Sequence, residues 1–108
     1  MRNDIQSTEF VRIISNIIDI LKDTAHSAQT DFLVRLIDSF ERRDFEKFIE
    51  DINGAELWGG SGSVWDVEMP DSMSRDRLDR SLIDLLKQMS NGNILGKRAK
   101  SVYKLLVK

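Results

Sequence analysis

An all-α, single-domain fold is predicted for this chain: an irregular bundle of four to five helices with a glycine-rich loop near the middle. Three observations predict it. Apolar residues recur at three- and four-residue steps on both sides of the loop. The 41% hydrophobic and 31% charged content is that of a helical protein with one core and a solvated surface. Both tryptophans and three of the six glycines fall in 57–67, which interrupts the helical pattern. At 108 residues the chain buries one core without staples, so residues 1–108 are expected to form a single domain.

The first helix is expected from about Ser7 to Lys22. Phe10, Ile13, Ile14, Ile17, Ile18 and Leu21 share one face, and Arg12, Asn16 and Asp19 fall largely on the other. Asn3, Asp4 and Ser7 are all competent N-caps. This stripe makes it the core helix. After a weak break around 25–30, Phe32, Leu33, Leu36, Ile37 and Phe40 form the stripe of a second helix. Glu41-Arg42-Arg43 is a charged joint, and Asp44 can cap a third helix carrying Phe45, Phe48, Ile49 and Ile52. Asn53-Gly54 is expected to end it, since both tolerate the left-handed conformation of a helix terminus.

The loop follows. Gly59, Gly60 and Gly62 are expected to take unusual φ or admit a close backbone. Ser63-Val64-Trp65-Asp66 has the Ser-x-x-Asp form of a capping box, with Asp66 accepting backbone hydrogen bonds. A short extended segment over 63–69 is the alternative, because Val64, Trp65 and Val67 favour strands. Gly59, Gly60, Gly62, Ser63 and Asp66 are therefore the expected structural set of the loop. A fourth helix is expected from Ser74, as its cap, to Met89, with Leu78, Leu82, Leu85, Leu86 and Met89 inward. Arg75 with Asp79 and Asp76 with Arg80 are i,i+4 pairs. Ser90-Asn91-Gly92-Asn93 closes it. A fifth helix starts near Leu95 or Gly96 with Ala99, Val102, Tyr103 and Leu106 inward, its basic residues suiting a helix carboxyl end.

Charge is unevenly placed. Residues 1–96 carry 11 basic and 18 acidic side chains, a net of −7, whereas 97–108 carry Lys97, Arg98, Lys100, Lys104 and Lys108 and no acid. The basic helix after a glycine turn faintly resembles a helix-turn-helix. The acidic body opposes phosphate, so the expectation is no nucleic-acid partner. No apolar region follows Arg2, and no run of about 18 apolar residues occurs, so neither signal peptide nor transmembrane helix is expected, the location is cytoplasmic, and no membrane partner is expected.

The chemistry-bearing patterns are sparse. Without cysteine, and with His26 as the one histidine, no metal site is expected. No lysine follows Gly62 as a Walker loop requires, and Gly92-Asn93-Ile94-Leu95-Gly96-Lys97-Arg98 has the wrong spacing and no hydroxyl. Gly60-Ser61-Gly62 is not a nucleophile elbow. No catalytic residue and no cofactor are assigned, and the chain is not expected to be an enzyme. The candidate binding residues are Trp65, Asp66 and Glu68 beside the loop, and Glu46, Glu50 and Asp51 on the third helix. Trp58, next to Leu57, is expected inward and Trp65 outward, because two indoles in one surface loop are hard to bury together.

Trp58-Gly59-Gly60-Ser61-Gly62-Ser63-Val64-Trp65-Asp66 resembles the Gly-Gly-x-Gly-Ser-x-x-Asp signature of small uncharacterised bacterial proteins. Those have two or three amphipathic helices before the signature and an apolar helix after it. Some members look like immunity partners of bacterial toxins. The resemblance implies a protein-binding role, in its concrete form an immunity-type protein that binds and blocks a cognate toxin. It carries over no catalytic residue. The alternative is a small DNA-associated regulator acting through the basic helix. The oligomeric state stays open.

Overall fold

The computed structural model describes residues 9–108; the candidate caps Asn3, Asp4 and Ser7 lie outside them. The helices are α1 Glu9–Asp23, α2 Ser27–Glu41, α3 Phe45–Ile52, the single turn α4 Ala55–Trp58, α5 Ser72–Asn91 and α6 Lys97–Leu106. A 3₁₀ turn, Val64–Asp66, lies between α4 and α5. Among the described residues there is no strand, and the fold is an all-α irregular bundle. No helix among them is long and apolar enough to cross a membrane.

α1 is the central element. Phe10, Ile13, Ile14, Ile17, Ile18 and Leu21 are buried as the spacing predicts, and Ile20 joins them. Ile20 widens the stripe because α1 packs against both α2 and α5. α5 sends Leu78, Leu82, Leu85, Leu86 and Met89 inward, all of them fully buried. Phe10 of α1, Phe40 of α2 and Phe48 of α3 meet at one end of the core. Their centroid separations are 5.8, 5.3 and 5.0 Å, at tilted to edge-on angles.

Three helix ends share one device. After α1, α2 and α5 the chain reverses through a non-glycine residue in the left-handed region: Ala25 (φ 63°), Arg43 (φ 62°) and Asn93 (φ 61°). In each case the next residue's N–H reaches back to a carbonyl five residues earlier, His26 to Leu21 (2.9 Å), Asp44 to Ser39 (3.0 Å) and Ile94 to Met89 (2.9 Å). This satisfies carbonyls that a helix end leaves without intrahelical partners. The first break is thus confined to 24–26, tighter than the expected 25–30, and α2 begins at Ser27.

Asn53-Gly54 does not use this device. Asn53 has φ −99° and Gly54 φ −82°, so neither is left-handed. The side chain of Asn53 is engaged elsewhere. Its Nδ2 donates to the carbonyls of Ile49 (3.0 Å) and Ile94 (2.8 Å), and its Oδ1 accepts from the Gly96 N–H (2.7 Å). Asn53 thereby ties the end of α3 to the turn before α6, and a left-handed turn would carry it away.

Capping also departs from expectation at α5. Its cap is Asp71, not Ser74, and it accepts from the Ser74 N–H at 2.8 Å. The hydrogen bonds from the backbone and hydroxyl of Ser74 hold the Asp71 carboxyl below its ordinary value. Asp44 caps α3 as predicted, through the Lys47 N–H. Gly92 is a right-handed C-cap, and Asn93 makes the turn. In α6, Ala99 and Val102 are buried and Tyr103 and Leu106 pack at the margin, as expected. Lys97 and Arg98, however, open that helix, at the end its dipole makes positive.

The left-handed region costs an L-residue about 1–2 kcal/mol, and glycine returns part of that as unfolded-state freedom. Ala25→Gly and Arg43→Gly are each expected to raise stability by about 0.5–1 kcal/mol in chemical denaturation. Falling midpoints in both would show that these side chains make compensating contacts. Asn53→Asp keeps the shape but turns two donated bonds into repulsions. It is expected to cost about 1–3 kcal/mol, as much as Asn53→Ala. If the aspartate were tolerated, Asn53 would be filling space only.

Candidate functional site

The segment from Trp58 to Asp71 is built around its own main-chain carbonyls. Trp58 is buried, 2% exposed, and its indole N–H donates to the Ile52 carbonyl at 2.7 Å. The Gly59 carbonyl accepts twice, from the Trp65 indole N–H (2.8 Å) and the Ser63 hydroxyl (2.9 Å). Neighbouring helices supply the other donors. Gln29 of α2 donates to Gly62 (2.8 Å), and Arg75 of α5 donates to both Trp65 (3.1 Å) and Val67 (2.9 Å). His26 reaches the Glu68 carbonyl at 2.8 Å. A carbonyl only accepts, so Nε2 of His26 carries the hydrogen.

Two glycines are required here, for different reasons. Gly62 has φ +91°, which side-chain-bearing residues rarely adopt. A Cβ at Gly59 would lie 2.6 Å from the Ala55 carbonyl oxygen, so Gly59 is needed for a close approach at negative φ. Gly60 has neither constraint: its φ is not positive and its Cβ would enter open space. The Ser63–Asp66 box does not form. Ser63 is buried and turns its hydroxyl back to Gly59, while the Asp66 N–H meets the Ser63 carbonyl at 3.2 Å in a 3₁₀ turn. That turn also displaces the extended alternative over 63–69. The Asp66 side chain is exposed and accepts none of the loop's N–H groups. Arg75, Gln29, His26, Ser63 and the Trp65 indole hold the loop's carbonyls instead.

Of the candidate binding residues, Trp65 is half-buried and packs against the core margin, and Asp66 and Glu68 beside it are exposed. Trp58 inward and Trp65 partly outward is the predicted arrangement, with one addition: Trp65 is also a structural donor. Glu46 and Glu50 are exposed on α3, and Asp51 pairs with Lys47 at 3.1 Å. α3 packs on α2, whereas the 3₁₀ turn packs on α4 and α5. The two acidic sets therefore sit on separate elements, and no hydrogen bond or ion pair joins them. An open groove of about 780 Å³ runs beside the loop, with His26, Glu68, Asp71 and Arg75 among its walls. Arg75 is already committed to two carbonyls and to Asp79, at 2.6 Å, so the groove offers carboxylates and no unengaged guanidinium.

Asn53, His26 and Gln29 carry tertiary hydrogen bonds that no local pattern announces. Arg75 was legible only as the partner of Asp79. Asp71 had a visible signal, an aspartate after Pro70 and three residues before Ser74. Among the described residues no group of three or more His, Asp or Glu side chains is placed to hold a metal ion. No family model, no curated protein and no solved structure matches the chain.

Arg75→Lys keeps a charge for Asp79 but cannot span both carbonyls and the carboxylate. It is expected to cost about 1–3 kcal/mol and to speed proteolytic nicking within 59–70. Asp79→Asn removes only a half-exposed i,i+4 pair and is expected to cost about 0.5 kcal/mol or less. Equal effects in urea unfolding would show that Arg75 acts through Asp79 rather than through the loop.

Proposed function

We propose that this chain is a protein-binding module, in its concrete form an immunity-type protein that binds and blocks a cognate bacterial toxin in the cytoplasm. The observation that carries the reading is the pairing of a half-exposed indole with two free carboxylates on a braced loop. Trp65 lies at the surface of a segment whose carbonyls are held by Trp65 itself, Ser63, Gln29, His26 and Arg75, with exposed Asp66 and Glu68 beside it. Rigid aromatic anchors with a charged rim are what protein interfaces use, because little side-chain entropy is lost on docking. A blocking role requires no reacting group, only complementary shape and charge. Glu46, Glu50 and Asp51 extend the same sign of charge to a second face, which would steer a basic partner.

The test is affinity capture from the native cell, followed by calorimetry with the captured polypeptide. Capture of a basic polypeptide whose toxicity co-expression relieves is expected. Asp66→Lys with Glu68→Lys alters only exposed carboxylates that brace nothing. It should weaken binding by about 2 kcal/mol or more, with a midpoint of unfolding close to the parent's. A captured partner that binds the double variant as tightly as the parent would remove the loop from the interface and leave α3 as the face to test.

A further inference from the structure

α6 and the residues after it carry a cluster of exposed cations. Elsewhere Arg12, Arg35, Arg42, Lys47, Arg75 and Arg80 each meet a carboxylate, while Lys22, Arg43, Arg77 and Lys87 are in no ion pair among the described residues but lie in segments that also carry acids. Lys97, Arg98, Lys100, Lys104 and Lys108 are all exposed, and among the described residues none of them is in an ion pair. No acidic side chain occurs in 85–108. The helical period places Lys97, Lys100 and Lys104 together, opposite Ala99 and Val102, which face the core. The ridge therefore points straight out from the bundle. Leu105 and Val107 are 56% and 53% exposed, alongside it. Of the large apolar side chains that stand out from the described surface, only Val34 and Met73 lie elsewhere.

We infer that α6 is a peripheral docking surface for an anionic lipid bilayer. The charge complementarity is with a polyanion, and two features select the lipid. Aliphatic side chains flanking the cations have an apolar layer to enter at a bilayer surface, but nothing to enter along a phosphate backbone. Lysine dominates the ridge, and lysine is depleted from protein interfaces while being as effective as arginine near an anionic leaflet. The net −7 of residues 1–96 is repelled by such a surface, which confines the attraction to the basic segment. The absence of a long apolar run bears on spanning a bilayer, not on lying against one. The surface is distinct from the acidic loop, so it stands or falls independently of the toxin-binding reading.

The experiment is co-sedimentation of the full chain with phosphatidylcholine vesicles and with mixed phosphatidylcholine–phosphatidylserine vesicles, beside a fluorescent duplex of random sequence. Salt-sensitive sedimentation with the phosphatidylserine vesicles alone is expected. Lys100→Glu with Lys104→Glu should reduce it by more than about tenfold, and Leu105→Ser, which alters an exposed position, should reduce it several-fold. Circular dichroism verifies that both variants remain helical. Sedimentation equal with neutral vesicles, or none with anionic vesicles, overturns the inference. So does tight duplex binding without vesicle binding, which would make α6 a nucleic-acid surface. Vesicle binding that Leu105→Ser leaves unchanged also overturns it, because charge alone would then account for the attraction.

Discussion

The seven buried side chains of α1 spread over roughly 160° of its circumference at 3.6 residues per turn, from Ile20 and Ile13 on one edge to Ile18 on the other. One neighbouring helix cannot cover that width. α1 therefore needs a partner on each side, and α2 and α5 fill those places. The buried stripe of α5 is narrower, whereas that of α2, which includes Thr30 and Ser39, is at least as wide, and α2 packs on α3 as well. The order of the chain then imposes a journey. α2 follows α1 directly, but α5 is reached only after the backbone has passed through α3, α4 and the glycine loop.

That journey explains the loop's chemistry. Irregular backbone lying against a core must have its carbonyls satisfied, and no ladder or helix is there to do it. The donors are side chains with N–H or O–H groups on the elements the loop passes: Gln29 and His26 at the start of α2, Arg75 in the first turn of α5, and the loop's own Ser63 and Trp65. The result is a segment that is irregular yet multiply anchored. Its exposed residues, Gly60, Ser61, Asp66 and Glu68, are held in place by groups that are not themselves at the tip. Such a surface presents a fixed shape to a partner, which limits the ordering cost of association.

Charge is organised differently on the two halves. On α1 to α5, the arginines and one lysine that form ion pairs do so mostly within their own helix, at i,i+3 or i,i+4. These pairs are exposed or half-exposed and contribute little to stability. They match those cations locally, whereas Asp66, Glu68, Glu46 and Glu50 are in no ion pair among the described residues. α6 has no acid of its own and stands with its cations unmatched. The molecule carries two surfaces of opposite sign, and each bears an apolar feature, Trp65 on one and Leu105 on the other.

The apolar spacing by itself determined the all-α class, the inward faces of α1, α2, α5 and α6, and the Asp44 cap. These depend on residues three or four apart on one helix, which any reader of the chain can align. Trp58 inward and Trp65 at the surface followed from the crowding of two indoles in one loop. Tertiary structure decided the rest. Ile20 is buried only because α1 has two neighbours. Asn53 forgoes the left-handed turn because its amide has partners more than 40 positions away, at Ile94 and Gly96. Asp66 is not the loop's brace because the loop's carbonyls need donors, which a carboxylate is not, and Arg75, fixed by the packing of α5, supplies them. Hydrogen bonds of that kind join residues with no spacing rule between them. They exist only once burial has brought unpaired carbonyls and donors to the same place, and burial is a property of the assembled bundle.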